Sequence, residues 1–260
     1  ILESLPTITK LLENETKGIV IASHLGRPNG MRHPGMSLLP VRDELEQLMK
    51  LKVKYCSDCV GEEALTLSHE LKKGEILLLE NLRYHAAEEG SSKDEKGNKV
   101  KASKESVDIF RKQLTAMGEV YVNDAFGTCH RAHSSIVGID LPLKVAGLLL
   151  EKELEFFAKA LDHPSKPVTV IIGGSKVKDK LPLIRNLITF ADDIIIGGGM
   201  AFTFFKAMGK EIGTSLVELD QLEVAKSTMA KAKEKKVEFI LQTDAIVASA
   251  FSNDAETKTV

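Results

Sequence analysis

Glu75-Ile76-Leu77-Leu78-Leu79-Glu80 is the stretch whose reading decides the fold. Four consecutive apolar residues leave neither face of an extended segment polar, so this strand is expected to be buried on both sides. That is the condition of a central strand in a parallel sheet, whose crossover helices cover both faces. Upstream, Gly18-Ile19-Val20-Ile21-Ala22-Ser23 and the segment Lys52 to Cys56 read as companion strands. Between them, Leu38 to Lys50 is expected to be helical, because Leu38, Val41, Leu45, Leu48 and Met49 share one face. Downstream, Ser106 to Met117 is helical by period and Glu119-Val120-Tyr121-Val122-Asn123 is another strand. Ser91-Ser92-Lys93-Asp94-Glu95-Lys96-Gly97 has nothing to bury and reads as an exposed loop.

From Leu150 the pattern changes. Leu150, Leu154, Phe157, Ala158 and Leu161 form a helical stripe that ends before Pro164 and Pro167. A second βαβ series follows: strand 168–172, helix 176–190, strand 194–196, helices 201–208 and 222–235, and strand 237–241. The expected fold class is therefore α/β, with two doubly wound, Rossmann-like parallel-sheet domains joined by a connecting helix. The expected boundaries are 1–149, 150–163 for the connector and 164–260. Ile1 is not an initiator Met and the chain stops within a candidate strand, so both domains are expected to be cut at the chain ends.

Composition narrows the function. Lys and Arg number 35 against 37 Asp and Glu, and aromatics are 5% with no Trp, so neither a nucleic-acid coat nor a base-stacking platform is expected. The longest uncharged apolar stretch, Ile194 to Phe205, is too short to span a membrane. Three cysteines are too few for a disulfide framework and fit a reducing, cytoplasmic setting.

Ligands of parallel α/β sheets bind beyond the carboxyl ends of the strands. In the first half those ends lead into His24-Leu25-Gly26-Arg27-Pro28, Asn81-Leu82-Arg83-Tyr84-His85 and Asp124 to His133. Arg27, Arg83 and Arg131 are thus expected at one edge of one sheet, with His24, His130 and His133 beside them. Gathered cations repel unless an anion neutralises them, which points to a small-anion site. In the second half, Gly173-Gly174-Ser175-Lys176-Val177-Lys178-Asp179-Lys180 and Gly197-Gly198-Gly199-Met200 each lead from a strand into a helix. Neither is a Walker A or a dinucleotide fingerprint, but two such runs with Lys176 and Lys180 favour nucleotide phosphates. A basic pocket in one domain and a phosphate site in another suit phosphoryl transfer between two ligands.

Other features read as structural. Cys56-Ser57-Asp58-Cys59 has no second pair to complete a zinc site. His130 and His133 could suggest a metal, but no carboxylate cluster is expected to accompany them and ligation is not expected. The Lys226–Lys236 cluster, interleaved with Ala and Glu, is a solvated helix face.

Six of these stretches, in order and spacing over essentially all 260 residues, resemble the motifs of phosphoglycerate kinases: Ser23–Pro28, Leu79–Arg83, Asn123–Thr128, His130–Ser134, Gly173-Gly174 with Lys176 and Lys180, and Gly197–Thr203. The resemblance implies a hinge-bending, monomeric, cytoplasmic enzyme of glycolysis. Its reaction would be reversible phosphoryl transfer between 1,3-bisphosphoglycerate and ADP, giving 3-phosphoglycerate and ATP. It implies that Arg27, Arg83 and Arg131 hold the non-transferred phosphate. His24, Leu25 and Gly26 would lie by the triose, with His130 and His133 supporting. Lys176 and Lys180 would act on the nucleotide phosphates and the transferred group. Gly173, Gly174, Ser175, Gly198 and Gly199 would line the nucleotide. Mg2+ would travel with ATP or ADP, its protein contact lying outside these residues. A kinase-like binding or structural protein is the alternative, and the preserved cations disfavour it.

Against the family pattern, the first Val-Asp-Phe-Asn strand and its following arginine would precede Ile1. The Gly-Gly-Gly-Asp-Thr turn would follow Val260, so the 260 residues alone are expected to be inactive. Cys129 and Ser175 replace usual alanines. Pro182 stands where the family has an ordinary helix residue, which is expected to disturb the aim of Lys180.

Overall fold

The computed structural model describes all residues except Glu15, Glu95 and His163. Glu95, in the expected loop 91–97, and His163, at the end of the expected connector, therefore lie outside the described residues. In chain order the elements are α1 (Leu5–Glu13), β1 (Gly18–Ile21), α2 (Leu39–Met49), β2 (Val53–Cys56), α3 (Glu62–His69), β3 (Glu75–Leu79), α4 (Ala86–Glu89), β4 (Ser91–Lys93), β5 (Lys99–Lys101), α5 (Lys104–Ala116), β6 (Val120–Asn123), α6 (Ser134–Val137) and β7 (Leu143–Ala146). They continue with α7 (Leu148–Leu161), β8 (Thr169–Gly173), α8 (Leu181–Leu187), β9 (Asp193–Gly197), α9 (Ala201–Ala207), α10 (Leu222–Glu234), β10 (Glu238–Leu241), β11 (Ile246–Ala248) and β12 (Thr257–Thr259).

The chain divides into two compact units, Ile1–Phe157 and Ala158–Val260. The division falls inside α7, within the stretch 150–163 expected as the connector, and the first turns of α7 are tied to the first unit. Leu148 N donates to Thr7 Oγ1 (2.9 Å), and the amides of Leu149 and Leu150 donate to Asp124 Oδ1 (2.9 and 3.2 Å). Phe157 stacks on Phe126 with ring centroids 5.0 Å apart.

In the first unit, β3 lies between β1 and β2, all parallel. The strand whose sequence is apolar on both faces is buried on both. Ile76 and Leu78 join Ile19, Leu38, Leu45 and Val53 in one cluster, while Leu77 and Leu79 join Cys56, Ala64 and Phe110 in another. Each such buried aliphatic side chain contributes about 1.5–3 kcal/mol.

Two expectations are corrected here. β6 does not extend this sheet: it pairs with β7, in parallel, as a separate two-stranded ladder. Arg131 therefore follows a strand of a different sheet from the strands that precede Arg27 and Arg83. An apolar strand pattern reveals burial but not which neighbour takes its hydrogen bonds, so the ladder's limits were not legible. The segment read as an open loop also contains β4, the first strand of an antiparallel hairpin whose second strand, β5, follows at Lys99–Lys101. Its turn is held by Asp94, whose carboxylate accepts from the amides of Lys96 (2.9 Å) and Asn98 (2.8 Å).

In the second unit, β9 lies between β8 and β10, again parallel. Ile172, Ile194 and Ile196 pack against Ile184 and Leu187 of α8, Phe204 of α9, and Ala225 and Ala232 of α10. The helix expected over 176–190 is α8 alone, Leu181–Leu187. Pro182 stands in its first turn, where its missing N–H would have no intrahelical partner anyway. It therefore starts the helix rather than bending it. Lys176 and Lys180 consequently lie on the loop and at the N-cap, not four apart along a helix.

Candidate active-site loops

In the first unit the loops after β1 and β3 are zipped together. Leu82 N donates to Ser23 O (3.0 Å), and Asn81 Nδ2 donates to the carbonyls of Leu25 and Met36, both at 2.8 Å. Arg83 donates from its guanidinium to Gly26 O at 2.9 Å, and Gly30 N to Arg83 O at 3.1 Å. Gly26 has φ +64°, and a Cβ there would sit 2.9 Å from Met36 Sδ, so a side chain at this turn would be strained and would displace Met36. Beneath the loop, Glu80 is buried and accepts from Tyr55 OH (2.6 Å), Ser37 Oγ (2.7 Å) and the amides of Leu38 and Asn81. Burial alone would raise its pKa, but these bonds hold it below the ordinary value. Tyr55 is pushed up to about 12, by burial and by Glu80.

His24, Arg83, Arg131 and His133 share one electrostatic neighbourhood. The pKa of His24 is lowered by burial first, then by the charges of Arg83, His133 and Arg131, against an opposing pull from Glu89. His133 is likewise lowered by burial and by Arg83, Arg131 and His130, again opposed by Glu89. His130 and Arg131 are exposed, whereas Arg83 and His133 are buried. Arg27 is exposed and has no hydrogen-bond or ion-pair partner among the described residues. Leu25 contributes its carbonyl, its side chain being exposed.

Sequence reasoning missed the carboxylates of α4. Glu89 Oε1 lies 3.5 Å from Arg83 Nε and 3.8 Å from His133 Nε2. Glu88 Oε1 lies 3.7 Å from His133 Nδ1, and its carboxylate accepts from Ser135 N (3.0 Å) and Ser135 Oγ (2.6 Å). Burial raises the pKa of Glu88. Against expectation, two carboxylates thus accompany His133, though none is shown beside His130. Neighbours 44 and 45 residues away in sequence reach His133 because α4 follows directly on the Arg83 loop. Arg83 Nε is closed to solvent and has no hydrogen-bond partner among the described residues, with the Glu89 carboxylate at 3.5 Å as its compensating charge. Cys129 fits its loop by donating to Ala125 O (3.3 Å) and accepting from Asn123 Nδ2 (3.4 Å).

The Cys56–Cys59 stretch also has neighbours that spacing did not reveal. Asp58, Cys59 and His85 bring potential ligand atoms within 4.8 Å of one another. The Asp58 carboxylate is already engaged by Arg32 and His85, each at 2.6 Å, and by the Cys59 amide, and its pKa is about 2. Burial pushes the Cys59 thiol up.

In the second unit the two glycine runs meet. Met200 N donates to Gly174 O at 2.8 Å. Gly198 has φ +70°, and a Cβ there would fall 3.0 Å from Gly174 O, so the contact needs glycine. Gly199 approaches Ser175, with Gly173 opening the loop. Beyond Ser175, Lys176 is exposed and Lys180 half-buried, and neither forms an ion pair among the described residues. Lys180 N and Leu181 N both donate to Val177 O at 2.9 Å, closing a tight turn between the two lysines.

The phosphoglycerate kinase family model matches residues 1–260. The chain is 53% identical over 261 residues to phosphoglycerate kinase of Saccharomyces cerevisiae, covering 100% of this chain and 62% of that one. The figure for Dictyostelium discoideum phosphoglycerate kinase is 53% over 258 residues, with 99% and 61% covered. Among solved structures, phosphoglycerate kinase from Coxiella burnetii superposes with TM-score 0.75 at 34% identity, over all of this chain and 61% of that one. That from Pyrococcus horikoshii gives 0.73 at 27%, over all of this chain and 62% of that one. The chain thus spans about 62% of the length of these curated relatives. Sequence and fold agree along its whole length, and the chain belongs to the phosphoglycerate kinase family.

Proposed function

We propose that the protein carries out reversible phosphoryl transfer between 1,3-bisphosphoglycerate and ADP, giving 3-phosphoglycerate and ATP. The observation that carries this reading, within a chain of this family, is the turn bearing Lys176 and Lys180, which form no ion pair among the described residues, beside two interlocked glycine loops in the second unit. The cationic cluster of the first unit supplies the complementary half. Arg83, Arg131, His24 and His133, with Arg27 and His130, take the phosphate that is not transferred, and Glu89 moderates their mutual repulsion. Lys176 and Lys180 neutralise charge on the nucleotide phosphates and on the group in transit. Gly173, Gly174, Ser175, Gly198 and Gly199 leave the backbone open to the nucleotide. The acceptor is already an anion, so no general base is needed, and positioning with charge stabilisation does the work.

Mg2+ enters as part of the nucleotide substrate. Among the described residues, the grouping that could gather round a cation is Asp58, Cys59 and His85, a mixed sulfur, nitrogen and oxygen set. Mg2+ takes oxygen ligands, so this set does not fit it and no step runs through it. No described helix is long and apolar enough to cross a membrane. Free Cys56, Cys59 and Cys129 fit a reducing compartment, and we assign the protein to the cytoplasm as a monomer.

Steady-state kinetics of the intact protein test the reading. Lys180→Ala is expected to lower turnover by at least roughly 100-fold, since one preorganised charge-stabilising group is lost. Arg83→Ala is expected chiefly to raise the Michaelis constant for the triose, because the phosphate it holds is present in ground and transition states alike. Intact turnover in Lys180→Ala, with only a raised Michaelis constant, contradicts the role given to Lys180.

A further inference from the structure

Glu218, on the segment between α9 and α10, reaches back to the lysine turn from forty residues downstream. One carboxylate oxygen, Oε2, accepts the amides of both Val177 and Lys178, the second at 3.2 Å. Its own amide donates to Thr203 Oγ1 at 3.2 Å, and Thr203 is a buried residue of α9, which begins just after the second glycine run. We propose that Glu218 is a positioning residue for the glycine–lysine loop, tying the turn that carries Lys176 and Lys180 to α9. The inference rests on the functional reading above and deepens it.

Three observations converge. First, every part of Val177 is fixed: its amide by Glu218, its carbonyl by Lys180 and Leu181, and its side chain, fully buried, by the core of the unit. Lys176 and Lys180 flank this anchored residue, so their starting points are set by it. Second, the glycine runs already touch through Met200 N and Gly174 O. Glu218 adds a second link between the same two loops, by side chain to one and by backbone to the helix that follows the other. Third, the carboxylate is bonded to the backbone of a turn that carries three lysines, Lys176, Lys178 and Lys180, yet forms an ion pair with none of them among the described residues. Its Oε2 is engaged by backbone amides, while Lys176 and Lys180 form no ion pair among the described residues. Removing it would free two N–H groups at once and release the turn. A small misplacement of a charge-stabilising group is enough to slow transfer heavily. Glu218 itself touches neither ligand in this account and is not a catalytic residue.

The test is Glu218→Ala in the intact protein, with ADP and the triose substrate varied separately. Turnover is expected to fall roughly 10- to 100-fold, with a raised Michaelis constant for ADP and an unchanged one for the triose. Glu218→Gln, which keeps an acceptor oxygen, is expected to recover most of the turnover. Hydrogen exchange at the Val177 and Lys178 amides should quicken in Glu218→Ala. Simple loss of stability would lower the active fraction without moving one Michaelis constant alone. Should Glu218→Ala not fold, Thr203→Val removes the other anchor and is expected to raise the ADP constant in the same selective way. Wild-type activity with both constants unmoved in the variants, or moved together, overturns the inference alone. A wild-type protein that neither turns over nor binds ADP in titration overturns the functional reading, and the inference with it.

Discussion

Arg83 meets two demands that pull in opposite directions. It must stay charged and aimed while buried, and it must keep capacity for a ligand. Its bond to Gly26 O and the nearby Glu89 meet the first, and its place beside Arg131, His24 and His133 meets the second. The same environment sets a pH dependence. His24 and His133 have folded pKa values below the ordinary 6.5, from burial and neighbouring cations. An anion bound among them favours their charged forms, so binding takes up protons and affinity rises as pH falls through the window below about 6.5. Sulfate, whose own charge is constant there, is the probe: its affinity should increase between pH 7 and pH 5.5, and His133→Asn should flatten the profile. A wild-type profile that is flat or falls toward acid contradicts this. At this scale the sequence was a good guide to the cations, because each follows a strand and strand ends are where such loops gather. It was silent on Glu88 and Glu89. Nothing in the pattern of α4 shows that its carboxylates turn toward His133.

The elements show where periodicity succeeds and where it stops. β3 was legible because burial on both faces leaves an unmistakable run. α2, α5, α9 and α10 were found within a residue or two of their ends. α8 was not, since apolar spacing continues upstream from Leu181 through Val177 while the backbone there is a turn held by Glu218 and by Val177 O. Periodicity reports which side chains are buried, and a buried turn satisfies it as well as a helix. Pro182 is the local test of this boundary. In a first turn its fixed φ is compatible, so Pro182→Ala should lower the stability of the second unit by about 0.4–1 kcal/mol, through the entropy of the unfolded chain. Were Pro182 inside a longer helix, the same change would stabilise it, by up to about 3 kcal/mol. Urea unfolding decides between the two signs.

Across the whole molecule, the two units differ in how their sheets are covered. The β1–β3–β2 sheet has an apolar cluster on each face, whereas the described helices α8, α9 and α10 share one cluster on one face of the β10–β9–β8 sheet. On its other face the register aligns Ile171 with Ile195 and Ile195 with Ile240, and Ile171 is 75% exposed. Parallel sheets are normally covered on both faces. The 260-residue chain should therefore bind an apolar dye through this row. Ile171→Lys should lower the dye signal while changing stability by no more than about 0.5 kcal/mol, as an exposed substitution does. An unchanged signal would mean that the row is not the binding surface. The central claim, that the first unit takes the triose phosphate and the second the nucleotide, has a direct measurement. Side-chain and amide NMR signals of the chain are followed during separate titrations with 3-phosphoglycerate and with ADP. 3-Phosphoglycerate should move the signals of Arg83, Arg131, His24 and His133 and leave the second unit still, while ADP should move Gly173 to Lys180 and Gly197 to Gly199. Shifts that appear in the opposite units, or no shifts at millimolar ligand, would contradict the account.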